Sequence, residues 1–168
     1  MGIISFDAIV NPDCTTLILG TMPGILSLEQ QQYYGHPDNV FWDIMLRILL
    51  PSITEEQIDN LTYQYKKELL LSNRIALWDV LQYCDRKGSL DSKITNEIKN
   101  DFKFFFKQYP QITRILFNGQ KPEKYFHTCF KNLITELNLV TITLPSTSPS
   151  HSLNTFKKLR IWRNAFKV

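Results

Sequence analysis

Four short apolar runs recur along the chain at wide intervals, at residues 15–19, 75–78, 114–117 and 140–144. Each is strand-sized and partly β-branched or aromatic, and nearly unbroken apolar runs suit strands covered on both faces. Helical spacing fills the intervals. Residues 39–49 place Phe41, Trp42, Met45, Ile48 and Leu49 on one stripe. Residues 54–71 open with Thr54-Glu55-Glu56-Gln57, a capping-box signature. Residues 94–107 carry Ile94, Ile98, Phe102 and Phe105 or Phe106 at helical spacing. Residues 123–133 follow Pro122, and residues 154–167 align Phe156, Leu159, Trp162 and Phe166. Strand alternating with helix predicts a parallel sheet flanked by helices. The expected fold class is α/β: a three-layer α/β/α sandwich with a four-stranded parallel central sheet, residues 1–168 forming one domain. Residues 83–92, with Gly88, read as a long surface loop.

In such a sheet the loops after the strands gather at one edge, where open α/β folds place their chemistry. The first is the longest. Residues 20–42 read Gly-Thr-Met-Pro-Gly-Ile-Leu-Ser-Leu-Glu-Gln-Gln-Gln-Tyr-Tyr-Gly-His-Pro-Asp-Asn-Val-Phe-Trp, rich in glycine, proline and amides. Asp79 follows the second run, and Asn118-Gly119 the third. Pro145-Ser146-Thr147-Ser148-Pro149-Ser150-His151 follows the fourth. Turn residues stop every strand, so one such loop says little; four together predict a polar cleft. In the last loop two prolines stiffen the backbone. Its hydroxyls and N–H groups can then face an anion such as phosphate.

Charge adds to this picture. The net charge is only +3, but from Leu137 onward the formal charges are Lys157, Lys158, Arg160, Arg163 and Lys167 alone. A basic tail on a slightly acidic front part predicts an anionic partner; a solvated amphipathic face is the plainer alternative. Cys14, Cys84 and Cys129 are widely spaced. Free thiols are expected, not a disulfide framework or a structural metal site. No signal pattern opens the chain and no apolar run is long enough to span a bilayer, so a soluble intracellular protein is expected.

Gly20-Thr21-Met22-Pro23-Gly24 after a strand resembles the first motif of the uracil-DNA glycosylase superfamily. Residues 34–42 resemble the segment that follows it in the mismatch-specific branch, and residues 145–149 resemble the second motif, a Pro-Ser loop after the last strand. The combination is most similar to the hypoxanthine-DNA glycosylase (deoxyinosine glycosylase) family, along nearly the whole chain. The resemblance implies an α/β/α enzyme that cuts the N-glycosidic bond of a deaminated base in DNA and leaves an abasic site. Hypoxanthine is the favoured base, and uracil or a mismatched pyrimidine the sister activity. It implies no metal and no organic cofactor; one branch carries an iron–sulfur cluster, but three scattered cysteines cannot supply four ligands. The implied partner is DNA containing a deaminated base, not a membrane. A monomer is expected, in the cytoplasm, nucleoid-associated in a prokaryote.

Two positions depart from the wider superfamily. Met22 stands where many members place a water-positioning Asn or Asp, and Leu144 replaces the usual His of the second motif. The hypoxanthine branch shares both losses, and its catalytic asparagine resembles Asn39. The implied site therefore has Asn39 and Asn118 as catalytic amides. Thr21, Met22, Tyr34 and Asp79 surround the base, and Ser146, Thr147, Ser148 and His151 lie on the DNA.

The chemistry fits these residue types. A base must leave the duplex stack to be reached, and Tyr34 or Tyr33 offers a flat partner for it. Asn118 brings a donor and an acceptor to the base edge. Asp79 accepts from N1–H or fixes a neighbour. Backbone N–H groups of residues 20–24 can polarise the departing base. The Asn39 carbonyl can orient a water but is too weak a base to ionise it, so its contribution is positioning. Asp38 or Asn39 also stands where a helix N-cap is expected, which leaves Asn39 with two readings. His36, beside Pro37, is expected to shape the loop, and Phe41 and Trp42 to sit in the core. The missing Asn and His keep open a third reading, a non-catalytic nucleic-acid-binding module on the same fold.

Overall fold

Residues 2–167, which the computed structural model describes, form seven strands and seven α-helices. The strands are β1 (Gly2–Ile4), β2 (Thr16–Gly20), β3 (Ile75–Asp79), β4 (Leu81–Asp85), β5 (Thr95–Lys99), β6 (Arg114–Asn118) and β7 (Val140–Leu144). The helices are α1 (Ile25–Gln30), α2 (Phe41–Leu49), α3 (Glu55–Asn60), α4 (Tyr63–Ser72), α5 (Phe102–Gln108), α6 (Gln120–Glu136) and α7 (Thr155–Ala165).

The four predicted strands form one parallel sheet in the order β3-β2-β6-β7. Successive strand residues point to opposite faces, and the sheet is covered on both. Leu17, Leu19, Ala76, Ile115 and Phe117 pack with Phe102, Phe105, Phe106 and Phe126 of α5 and α6. Ile18, Leu77 and Leu116 pack with Phe41, Met45, Leu70 and Trp162 of α2, α4 and α7. The chain leaves β2 for β3 on one side and later reaches β6 on the other. The ends of these strands therefore flank a topological switch point. There Gly20 pairs with Asp79, and Asn118 with Leu144.

Several expectations are corrected. A second sheet, β1-β4-β5, is antiparallel and was not predicted. It takes residues 95–99 from the expected helix over 94–107, and Ile98 is 54% exposed instead of lying on a buried stripe. The helix starts only at Phe102, where the Asp101 carboxylate accepts the Phe104 N–H at 3.0 Å. The expected surface loop over 83–92 gives up its first residues to β4. The helix expected over 54–71 is two helices. Thr54 and Gln57 form the capping box of α3, and Thr62 caps α4 afresh by accepting the Tyr65 N–H at 3.2 Å. In α7 the buried stripe is Lys158, Trp162 and Ala165, while Phe156 is 76% exposed. No described helix is long and apolar enough to cross a membrane.

Candidate active site

A cleft of about 320 Å³ opens where β2, β3 and β6 end. A larger groove of about 850 Å³ runs along α3 between Leu49 and Tyr65. It is lined by residues 49–65 alone and touches none of the loops after the parallel strands, so the smaller cleft is the candidate site. Thr21, Met22, Tyr34, Asn39, Asp79, Asn118, Ser146, Thr147 and Ser148 all line it. His151 does not; it is exposed, and its Nδ1 accepts the Leu153 N–H at 3.3 Å. Met22 also belongs to the core beneath the sheet.

The floor is built around Gly20. A Cβ at this position would fall 2.6 Å from Asp79 Oδ1 and 2.9 Å from the Tyr34 hydroxyl. Only a glycine lets both groups close on the strand end. Asp79 is 3% exposed. Its Oδ2 accepts from the Ser5 hydroxyl at 3.1 Å and its backbone carbonyl from the Asn100 amide at 2.8 Å. Burial pushes this carboxyl up to about 7; the Ser5 bond and Arg86 oppose the shift, and the Asp91 charge adds to it.

Tyr34 sits in the left-handed backbone region at φ 55°, uncommon for a bulky residue. Its ring stacks on Phe41 with centroids 4.1 Å apart. Its hydroxyl is buried without a hydrogen-bond partner. Burial, and then the charge of Asp79, raises its pKa above that of an ordinary tyrosine. Tyr33 is turned inward, its hydroxyl donating to the Asp7 carbonyl at 2.9 Å. Tyr34 is thus the ring with a face toward the cleft.

The two amides differ. Asn118 Nδ2 donates to Thr147 Oγ1 and Asn118 Oδ1 accepts the Thr147 N–H, both at 2.9 Å. The Thr147 carbonyl accepts the Val40 N–H at 3.1 Å. Thr147 was expected to meet DNA, but it is fully buried. Its polar atoms tie β6 to the start of α2 and are not free for a phosphate. Asn39 Oδ1 accepts the Phe41 N–H at 3.0 Å, so the side chain holds the first turn of α2. A carbonyl oxygen has a second lone pair, and Asn39 also borders the cleft. Asp38 does not cap; its N–H donates to His36 Nδ1 at 3.1 Å.

Three groups escaped the sequence reading. The Arg86 side chain is completely buried, with Nε donating to the Gly88 carbonyl at 2.9 Å and NH2 to the Pro23 carbonyl. Its NH1 lies 3.7 Å from Asp91 Oδ1 and has no hydrogen-bond partner. Ser89 Oγ accepts the Ile25 N–H at 2.9 Å. Together they stitch the loop between β4 and β5 onto the first-motif loop, so Ser89, Leu90 and Asp91 form a further wall. Burial raises the Asp91 pKa, against the pull of Thr21, Arg86 and Lys121. Lys158, counted among the basic residues of α7, is instead 3% exposed. Its ammonium holds the Ser148 and His151 carbonyls at 3.2 and 3.3 Å. Nothing in the local sequence distinguishes these cations from surface ones.

The sequence model of the Uracil DNA glycosylase superfamily matches residues 8–166. The chain is 34% identical over 162 residues to a hypoxanthine DNA glycosylase of Methanosarcina barkeri, across 96% of each chain. It is 33% identical over 162 residues to a hypoxanthine DNA glycosylase of Methanosarcina acetivorans, again across 96% of each. The solution NMR structure of a candidate uracil DNA glycosylase from Methanosarcina acetivorans matches with a TM-score of 0.81 at 33% identity. That match covers 99% of this chain and 98% of the other.

Proposed function

The chain belongs to the uracil DNA glycosylase superfamily and is a DNA glycosylase, and from that premise we propose that it excises hypoxanthine, flipped out of DNA, without lyase chemistry. The observation that carries this reading is the name shared by two relatives a third identical along nearly the whole chain. The cleft is consistent with it. The Tyr34 face left open by Phe41 stacks on the base. Asp79 and Asn118 bring a carboxyl and an amide to the base edge. Asn39, fixed by its bond to the Phe41 N–H, orients a water toward C1′ through its remaining lone pair. Ser146 and Ser148 sit at the mouth, beside the basic face of α7, where DNA phosphates would pass. Among the described residues no lysine lines the cleft, which argues against a lysine amine attacking the sugar. On this reading the protein works as a monomer in the cytoplasm.

The name of the solved neighbour favours a second reading, release of uracil. A panel of oligonucleotides carrying one deoxyinosine, deoxyuridine or deoxyxanthosine separates the two. Free hypoxanthine and an abasic site from the deoxyinosine strand are expected. Release of uracil alone would overturn the proposal, and DNA binding without any release would leave only a binding module.

A further inference from the structure

The cleft has an unusual charge content for a site from which a base departs. Two carboxyl side chains line it, Asp79 and Asp91, and no lysine or arginine does among the described residues. The nearest guanidinium, Arg86, lies behind the first-motif loop with its donors on the Pro23 and Gly88 carbonyls. A base leaving as an anion would meet these carboxyls and, among the described residues, no lysine or arginine in the lining to stabilise it. A base leaving as a neutral molecule would meet no such barrier. Hypoxanthine permits that route, because N7 carries a lone pair when N9 is bonded to the sugar. Uracil has no ring nitrogen to take the proton, because N1 is bonded to the sugar and N3 carries hydrogen; only its carbonyl oxygens could accept it.

Asp79 is placed to supply the proton. It ends β3 beside Gly20, its main chain is anchored by Asn100, and Ser5 holds Oδ2. That leaves Oδ1 at the floor, with no side chain on Gly20 to cover it. We propose that Asp79 is the general acid of the reaction, donating a proton from its carboxyl to N7 of the departing purine. This rests on the hypoxanthine reading of the same site. As the proton reaches N7, the C1′–N9 bond breaks and its electron pair goes to the base, which leaves neutral. The oxygen of a water bonds to C1′, and the proton that water loses restores the acid.

The groups facing Asp79 are Ser5 from the end of β1, Tyr33 and Tyr34 from the first loop, and Asp91 and Arg86 from the β4–β5 loop. Their sum, with burial, keeps the carboxyl protonated up to about pH 7. The neutral form is the active one, so the rate falls as pH rises through that value.

Single-turnover excision is compared for deoxyinosine and 7-deaza-2′-deoxyinosine, with wild type and with Asp79→Asn. General acid catalysis contributes about 10²–10⁴-fold. Asp79→Asn is therefore expected to lose about that much on deoxyinosine and to lose almost nothing further on the 7-deaza strand. Its pH profile is expected to lose the alkaline fall. Equal slowing of both substrates by Asp79→Asn, or an unchanged alkaline limb, would overturn the inference. Should Asp79→Asn fail to fold, the wild-type comparison still decides. The 7-deaza rate, unlike the deoxyinosine rate, is expected to be pH-independent through neutrality, and parallel profiles would overturn the inference. No hypoxanthine released by wild type at any pH would sink the parent reading, and this one with it.

Discussion

On one side of the cleft, Asn118, Thr147 and Val40 are joined by neutral amide, hydroxyl and backbone contacts. On the other, the fully buried Arg86 guanidinium holds the Pro23 and Gly88 carbonyls. The first side belongs to the parallel sheet, the second to the antiparallel one. Both fix a loop at the mouth of the same cleft, but they should fail differently. A neutral network loses a bond at a time. A buried guanidinium is costly to desolvate and steadies its surroundings only while its partners stay in place.

Arg86→Met tests the charged side and carries the largest expected effect on stability. Two buried carbonyls lose their donors and Asp91 its counter-charge, a loss of about 3–5 kcal/mol by denaturant unfolding. KM for lesion-bearing DNA should rise more than kcat falls, because the cleft loses a wall before it loses a reacting group. Unchanged stability would mean that the wall is held from elsewhere. Asn118→Ala tests the neutral side. It strands the Thr147 N–H and hydroxyl inside the protein, at about 2–4 kcal/mol, and the single-turnover rate should fall with it. If the rate holds, Asn118 acts only as a tie between β6 and α2.

The smallest effect sharpens the comparison within one residue. Asn39→Ala removes a cap and should cost about 1 kcal/mol. Asn39→Ser restores the cap to within about 0.5 kcal/mol but offers no amide carbonyl to a water. A serine variant as slow as the alanine variant assigns Asn39 to the water. A serine variant with full activity makes it a cap alone.

The parallel sheet under the neutral side was legible and the antiparallel sheet under the charged side was not, for physical reasons. The four parallel strands are covered on both faces, so they read as unbroken apolar runs, and their last residues announced the cleft. β4 reads Leu-Gln-Tyr-Cys-Asp and β5 reads Thr-Asn-Glu-Ile-Lys. These strands are half-exposed and polar, and Ile98 happens to fall four residues before Phe102, which mimics a helix. Arg86 and Lys158 looked like solvent-facing cations because the carbonyls that hold them come from remote loops. Thr147 and Phe156 show the converse. A threonine in a polar loop is drawn inward by an asparagine 29 residues earlier, and a phenylalanine at helical spacing is left outside. Periodicity reports which face an element buries, but not which polar atoms find partners across the fold.

Gly20 sets a limit on how this protein can change. Every other amino acid begins with the carbon atom that would collide with Asp79 and Tyr34, so the position has an alphabet of one letter. Drift toward a different base is therefore blocked at this one position of the floor as long as Asp79 and Tyr34 stay where they are. The rim, at Leu90 and Ser150, is where exposed side chains leave more room for change. The fold thus separates what its descendants are free to vary from what they must inherit intact.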